Sequence, residues 1–175
     1  MNRKRLVIIS IVLIVLTIFY FNRISGKSNN ESVSSHLKEL PGYDSRTIEG
    51  HPVVLHFWAK WCAPCAEEIP HLVDFAKIAQ GKFPDLRIVA VSLDDDIEES
   101  KTILPNKGVG LPSNWLMYLD SDHKVAEAMG SYQYPETYFF DAQGSVIEKW
   151  VGPQKWDTPE VIEYFSRKLT PNQGR

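Results

Sequence analysis

Two cysteines occur in the 175 residues, Cys62 and Cys65, and they flank a dipeptide where a strand-like run gives way to a helix-like one. Before them, Val53-Val54-Leu55-His56-Phe57-Trp58 is short, mostly apolar and rich in β-formers, as a buried central strand requires. After them, residues 66–79 repeat their apolar side chains at helical spacing, so the pair falls where a helix begins. A disulfide across so small a loop constrains the unfolded chain little and is a poor staple. What the position offers is chemistry. The free amides and macrodipole of a helix N-terminus favour a thiolate on Cys62, and Cys65, one turn further in, can resolve the mixed disulfide that Cys62 forms.

The flanking pattern alternates strands and helices. Gly50-His51-Pro52 is a turn leading into the first strand. Pro70 should kink the helix that carries the cysteines, and Gly81 and Pro84 should end it. Leu86 to Leu93 reads as the next strand, closed by Asp94-Asp95-Asp96, which makes a βαβ unit and hence a parallel pair. Residues 97–104 suit a helix and 105–112 a loop, while the pattern leaves the state of Trp115 to Leu119 open. Lys124 to Met129 suits a short helix stopped by Gly130. Thr137 to Phe140 and Val146 to Val151 form a hairpin across Asp141-Ala142-Gln143-Gly144. A last amphipathic helix follows Asp157-Thr158-Pro159, with Val161, Ile162, Tyr164, Phe165 and Leu169 on one face.

The N-terminus is of another kind. Arg3-Lys4-Arg5 precedes a nearly unbroken apolar run, Leu6 to Phe21. At about 1.5 Å per residue it lies between a long signal-peptide core and a short membrane span. The one small-residue pairing at cleavage spacing, Gly26 with Ser28, straddles a lysine, so an uncleaved signal anchor over residues 1–24 is expected. No cysteine follows the run for lipid attachment, and the basic cluster keeps the N-terminus inside, placing the rest of the chain on the extracytoplasmic, periplasmic side. Residues 25–36, rich in Ser, Asn and charge, read as a flexible linker, and 37–175 as the domain proper. Removing residues 1–27 takes five basic and no acidic residues from the formal −3, so the remainder stands at −8 and nucleic acid is not an expected partner.

Phe57-Trp58-Ala59-Lys60-Trp61-Cys62-Ala63-Pro64-Cys65 and Tyr134-Pro135-Glu136-Thr137 together resemble the thioredoxin superfamily, in its TlpA/ResA/DsbE-like extracytoplasmic branch. The likeness spans about Gly50 to Leu169. It implies an α/β thioredoxin-like fold: a central mixed sheet flanked by helices, preceded here by one transmembrane helix. It implies that Tyr134-Pro135 is cis, opening a backbone edge where a substrate strand can pair beside Cys62. Glu68 matches an acidic residue that this branch uses near its active site, and is expected to raise the cysteine pKa values and accept the resolving thiol's proton. Helix-start charge is the plainer role open to Glu67 and Glu68 alike. His56 stands where thioredoxins carry a buried Asp. An inward imidazole titrating near neutrality would be a proton relay, and a buried histidine satisfied by a backbone partner is the alternative. Trp61 should offer substrate an apolar platform, while Trp58 can as well be core.

The resemblance implies a membrane-bound thiol-disulfide oxidoreductase acting on exported proteins, a reductant of the cytochrome c maturation type. Apocytochrome c is the substrate class and a DsbD/CcdA-type membrane protein the electron donor. No cofactor beyond the Cys62–Cys65 disulfide is expected. Three other readings stay open: net oxidation of substrates, which Ala63-Pro64 does not exclude; a non-catalytic metal-binding module using the two cysteines and one of His51, His56 or His71; and peroxide reduction, whose reactive cysteine lies in a different motif.

Overall fold

The computed structural model describes residues 33–169. The anchor expected over 1–24 and most of the linker expected over 25–36 lie outside them. Among the described residues no helix is long and apolar enough to cross a membrane.

β1 (Val53–Trp58) is buried at every position. It pairs in parallel with β2 (Arg87–Ser92), which pairs in parallel with β3 (Trp115–Leu119). On its other side β1 pairs antiparallel with β4 (Glu136–Phe140), which forms the expected hairpin with β5 (Val146–Val151). The sheet order is β3-β2-β1-β4-β5, mixed as the sequence implied, with β1 at its centre. The undecided stretch Trp115–Leu119 is thus an edge strand.

The helices are α1 (Val33–Leu37), α2 (Ala63–Lys82), α3 (Ile97–Ser100), α4 (Lys124–Ala128) and α5 (Pro159–Leu169). α2 runs through Pro70 and through Gly81, where an end was expected. It stops only when the Phe83 amide, already non-helical, bonds back to the Ala79 carbonyl at 2.7 Å and Pro84 follows. Ile69, Leu72 and Val73 around the proline are buried, so packing outweighs the one hydrogen bond that Pro70 cannot donate. The helix expected over 97–104 gives way to a 3₁₀ turn at Lys101–Ile103, because Leu104 precedes Pro105 and is driven to extended backbone, φ −75° and ψ 146°. The first four residues of α1 fall within the stretch expected to be flexible and Leu37 opens the domain expected after it; Val33 and Leu37 are buried.

One sheet face carries Val54, His56, Trp58 and, from β4, Thr137 and Phe139. Phe75 of α2, Phe165 of α5 and Trp156 from the segment between β5 and α5 cover it, with Phe75–Phe165 ring centroids 4.8 Å apart and Phe139–Phe165 5.2 Å apart. The opposite face carries Phe57 and Tyr138, whose rings meet edge to face at 6.1 Å; the Tyr138 hydroxyl donates to the Met129 carbonyl just past α4.

Candidate active site

The cysteines sit at the carboxyl end of the central strand, where open α/β sheets place their sites. Cys62 is the N-cap of α2, with Pro64 in the first turn where a missing N–H costs nothing. Cys62 and Cys65 are joined in a disulfide, with Cα atoms 5.2 Å apart. Cys62 keeps 7% of its surface exposed and Cys65 none, so an incoming sulfur reaches Cys62 first. The approach to α2 is pinned from β2: the Lys60 amide donates to both Asp94 carboxylate oxygens, at 2.9 and 3.1 Å, and the Ser92 hydroxyl holds Asp94 at 2.9 Å. Asp94, read from the sequence only as the close of a strand, therefore fixes the backbone two residues before the nucleophile.

Tyr134-Pro135 is cis. The Tyr134 carbonyl oxygen lies 3.6 Å from Cys62 Sγ, a contact in the oxidised pair, since a disulfide sulfur carries no hydrogen. Pro135 is buried, and its carbonyl accepts from the Gly152 amide at 2.9 Å. Trp61 is 61% exposed and meets the Tyr134 ring edge to face at 6.1 Å, so the two aromatics form an open apolar surface beside Cys62. Trp58 is fully buried and belongs to the core.

The two glutamates at the start of α2 part ways. Glu67 is exposed, whereas Glu68 is 2% exposed. Glu68 lies three residues after Cys65, on the same helix face one turn along. Its Oε1 accepts from the Gln154 amide at 3.1 Å and from Trp156 Nε1; its Oε2 is buried with no partner. Burial pushes the carboxyl up to about 7, against the opposing pull of the Trp156 and Gln154 donors and of His71. Helix-start charge does not describe such a group, which holds or releases a proton near neutral pH.

His56 also points inward. Its Nδ1 is 2.9 Å from Thr137 Oγ1, its Nε2 is buried without a partner, and its ring meets Trp156 edge to face at 6.2 Å. Burial drives its pKa down to about 3. That is well below the near-neutral value expected of a relay: among the described residues desolvation is the dominant influence on the ring, and it favours the neutral form. Its partner is a threonine hydroxyl instead of the backbone group the alternative foresaw.

His51 lies against Arg87 and His71 against Asp157, at 3.1 Å each. Among the described residues no three His, Cys, Asp or Glu side chains gather closely enough to hold a metal ion. The structure adds Trp156, Gln154, Thr137 and Asp94 to the residues that shape the site.

Comparison with known proteins agrees with this geometry. Residues 37–149 match the AhpC/TSA family. The thiol-disulfide oxidoreductase ResA of Bacillus thuringiensis (strain Al Hakam) is 24% identical over 98% of this chain and all of its own length. The thiol:disulfide interchange protein CycY of Rhizobium leguminosarum bv. viciae is 30% identical over 70% of this chain and 62% of its own. The crystal structure of StoA from Bacillus subtilis superposes with a TM-score of 0.53, at 21% identity, over 67% of this chain and 84% of that one. With most of its length matched and its cysteine pair placed at the head of α2, the chain belongs to the AhpC/TSA family, and it is one of the thioredoxin-like thiol-disulfide oxidoreductases.

Proposed function

We propose that the chain is a membrane-anchored reductant of disulfides in exported proteins, of the cytochrome c maturation type. Residues 1–24 hold it to the cytoplasmic membrane, with the domain on the extracytoplasmic side and a DsbD/CcdA-type membrane protein supplying electrons. The observation that carries the direction is the buried Glu68 one turn behind the pair. An oxidant of this fold gains its power by stabilising the thiolate of its reduced form. A carboxyl shut into the same low-dielectric region does the reverse: once ionised it repels a neighbouring thiolate, raises the thiol pKa values and lowers the potential.

In the forward reaction the Cys62 thiolate attacks one sulfur of the substrate disulfide, whose S–S bond breaks and releases the other sulfur as a thiolate. Cys65 then gives its proton to Glu68 and attacks Cys62. The Cys62–Cys65 bond forms, the second substrate sulfur leaves, and solvent protons complete the two substrate thiols. Two electrons pass from the cysteine pair to the substrate.

The test is a Cys65→Ser trap expressed from the full chain. Cys62 should be recovered from the membrane fraction in mixed disulfide with exported cysteine-bearing proteins, apocytochrome c among them. A trap holding only cytoplasmic proteins, or a domain recovered free of membrane, would overturn the placement. A potential above about −200 mV for the purified domain would overturn the direction.

A further inference from the structure

Glu68 is held from one side only. Both of its hydrogen bonds end on Oε1, and both donors come from the segment between β5 and α5: the Gln154 amide and the Trp156 indole. Oε2 is equally buried and is bare. Trp156 is itself completely buried, and its ring is set among Phe75 at 5.6 Å, Trp150 at 5.7 Å, Phe139 at 6.2 Å and Phe165 at 6.5 Å. A glutamate has three rotatable bonds and an indole wedged among four rings has none to spare. The tryptophan therefore fixes the carboxyl, and not the reverse. The same segment is tied at both ends, by the Gly152 amide to the Pro135 carbonyl and by Asp157 to His71 on α2.

We propose that Trp156 is a positioning residue for the thiol-disulfide reaction: with the Gln154 amide it pins Glu68 by Oε1, so that Oε2 is the oxygen that takes and returns the proton of the cysteine pair. This rests on the reading of Glu68 as the thiols' proton acceptor. An N–H donor stabilises an ionised carboxylate more than a neutral one, so the indole holds the proton affinity of Glu68 below what burial alone would set. The charged or titratable neighbours are Glu67, His71 and the Cys62–Cys65 pair on α2, Lys155 and Asp157 in the clasping segment, and His56 of β1 across the indole.

The experiment follows the infrared carboxyl band of Glu68 and the pH profile of alkylation of the reduced cysteines, in the unaltered domain and in Trp156→Phe and Glu68→Gln. Glu68→Gln should abolish the band and flatten the profile near neutrality. Trp156→Phe keeps an aromatic ring without the N–H, and should move both midpoints upward by about one pH unit, a tenfold change, the size expected for one lost hydrogen bond to a charged group. The upward shift should persist in a His71→Asn background, and its disappearance there would count against the tryptophan. A flattened profile in Glu68→Gln with unmoved midpoints in Trp156→Phe would overturn the positioning role and leave Glu68 as proton acceptor. An unchanged profile in Glu68→Gln would remove both. Should Trp156→Phe not fold, the indole N–H proton resonance of Trp156 in the unaltered domain decides: it should titrate with the Glu68 midpoint and stop doing so in Glu68→Gln, and a pH-independent resonance would overturn the proposal.

Discussion

His56 and Glu68 are both shut away from solvent, and Trp156 touches both, yet burial moves their protons in opposite directions. The imidazole refuses its proton down to about pH 3 and the carboxyl keeps its own up to about pH 7. Among the described residues neither has an ion-pair partner, so each favours its neutral form, as a low-dielectric site demands. What separates them is where the change of charge falls. His56 is neutral throughout the physiological range. Glu68 switches within that range and stands one turn from Cys65.

The largest effect expected of this pair is on acid stability. In the unfolded chain His56 ionises near 6.5, and in the folded one near 3. Between those values the unfolded state binds a proton that the native state refuses, so stability falls as pH falls, by up to roughly 5 kcal/mol on reaching pH 3. Urea melts should show this slope below about pH 4.5, where no opposing change of Glu68 masks it, and His56→Asn, which can still meet Thr137 Oγ1, should remove it there. An unchanged slope in the variant would mean that His56 is not the buried base.

Glu68 acts with the reverse sign. Its unfolded value is near 4.5 and its folded value near 7, so in that interval the native state keeps a proton that the unfolded chain has lost. Its stabilising contribution is complete below about pH 4.5 and is lost as pH rises through 7, by about 3 kcal/mol. From 4.5 to 6.5 the two slopes oppose one another and stability should be nearly flat. Replacing Glu68 by Gln should expose the rising limb due to His56, and the double variant should lose both limbs. A Glu68→Gln melt series that parallels the unaltered protein would erase the contrast between the two groups.

Much of this centre is legible in the residue order. The strand, the C-x-P-C turn, the helix after it and the closing hairpin are local patterns, and residues 53–79 and 137–151 carry them plainly. Glu68 and Pro135 could be singled out only through the resemblance, which gives meaning to their places after Cys65 and before a strand. Trp156 could not: it lies in an irregular segment with no hydrophobic period, and its bond to Glu68 joins residues 88 apart. Nor could the protonation of His56, because desolvation belongs to the assembled core and not to any run of residues. Trp115–Leu119 was ambiguous for a third reason. Its one pairing partner among the described residues is β2, and a short apolar run names no partner.

A second buried carboxylate shows what pairing changes. Glu136, next to Pro135, is 3% exposed, like Glu68, but it accepts from the Ser131 hydroxyl and lies 3.1 Å from Lys149 Nζ. Lys149 is a third exposed, also donates to the Gly130 carbonyl at 3.1 Å, and sits 4.8 Å from the Tyr138 ring centroid. Lys149→Met keeps most of the stem and removes the charge, leaving a buried carboxylate without its cation. Breaking a fully buried pair costs about 3–5 kcal/mol. Solvent already screens the lysine, so about 2 kcal/mol is expected at neutral pH. Because Glu136 lies on the cis-proline strand, away from the Glu68 side of α2, cysteine alkylation should keep its pH profile while the melting midpoint falls. A variant that instead moved the alkylation profile as far as Glu68→Gln does would make Glu136 a second proton acceptor and end the distinction between a carboxylate that holds the fold and one that serves the thiols.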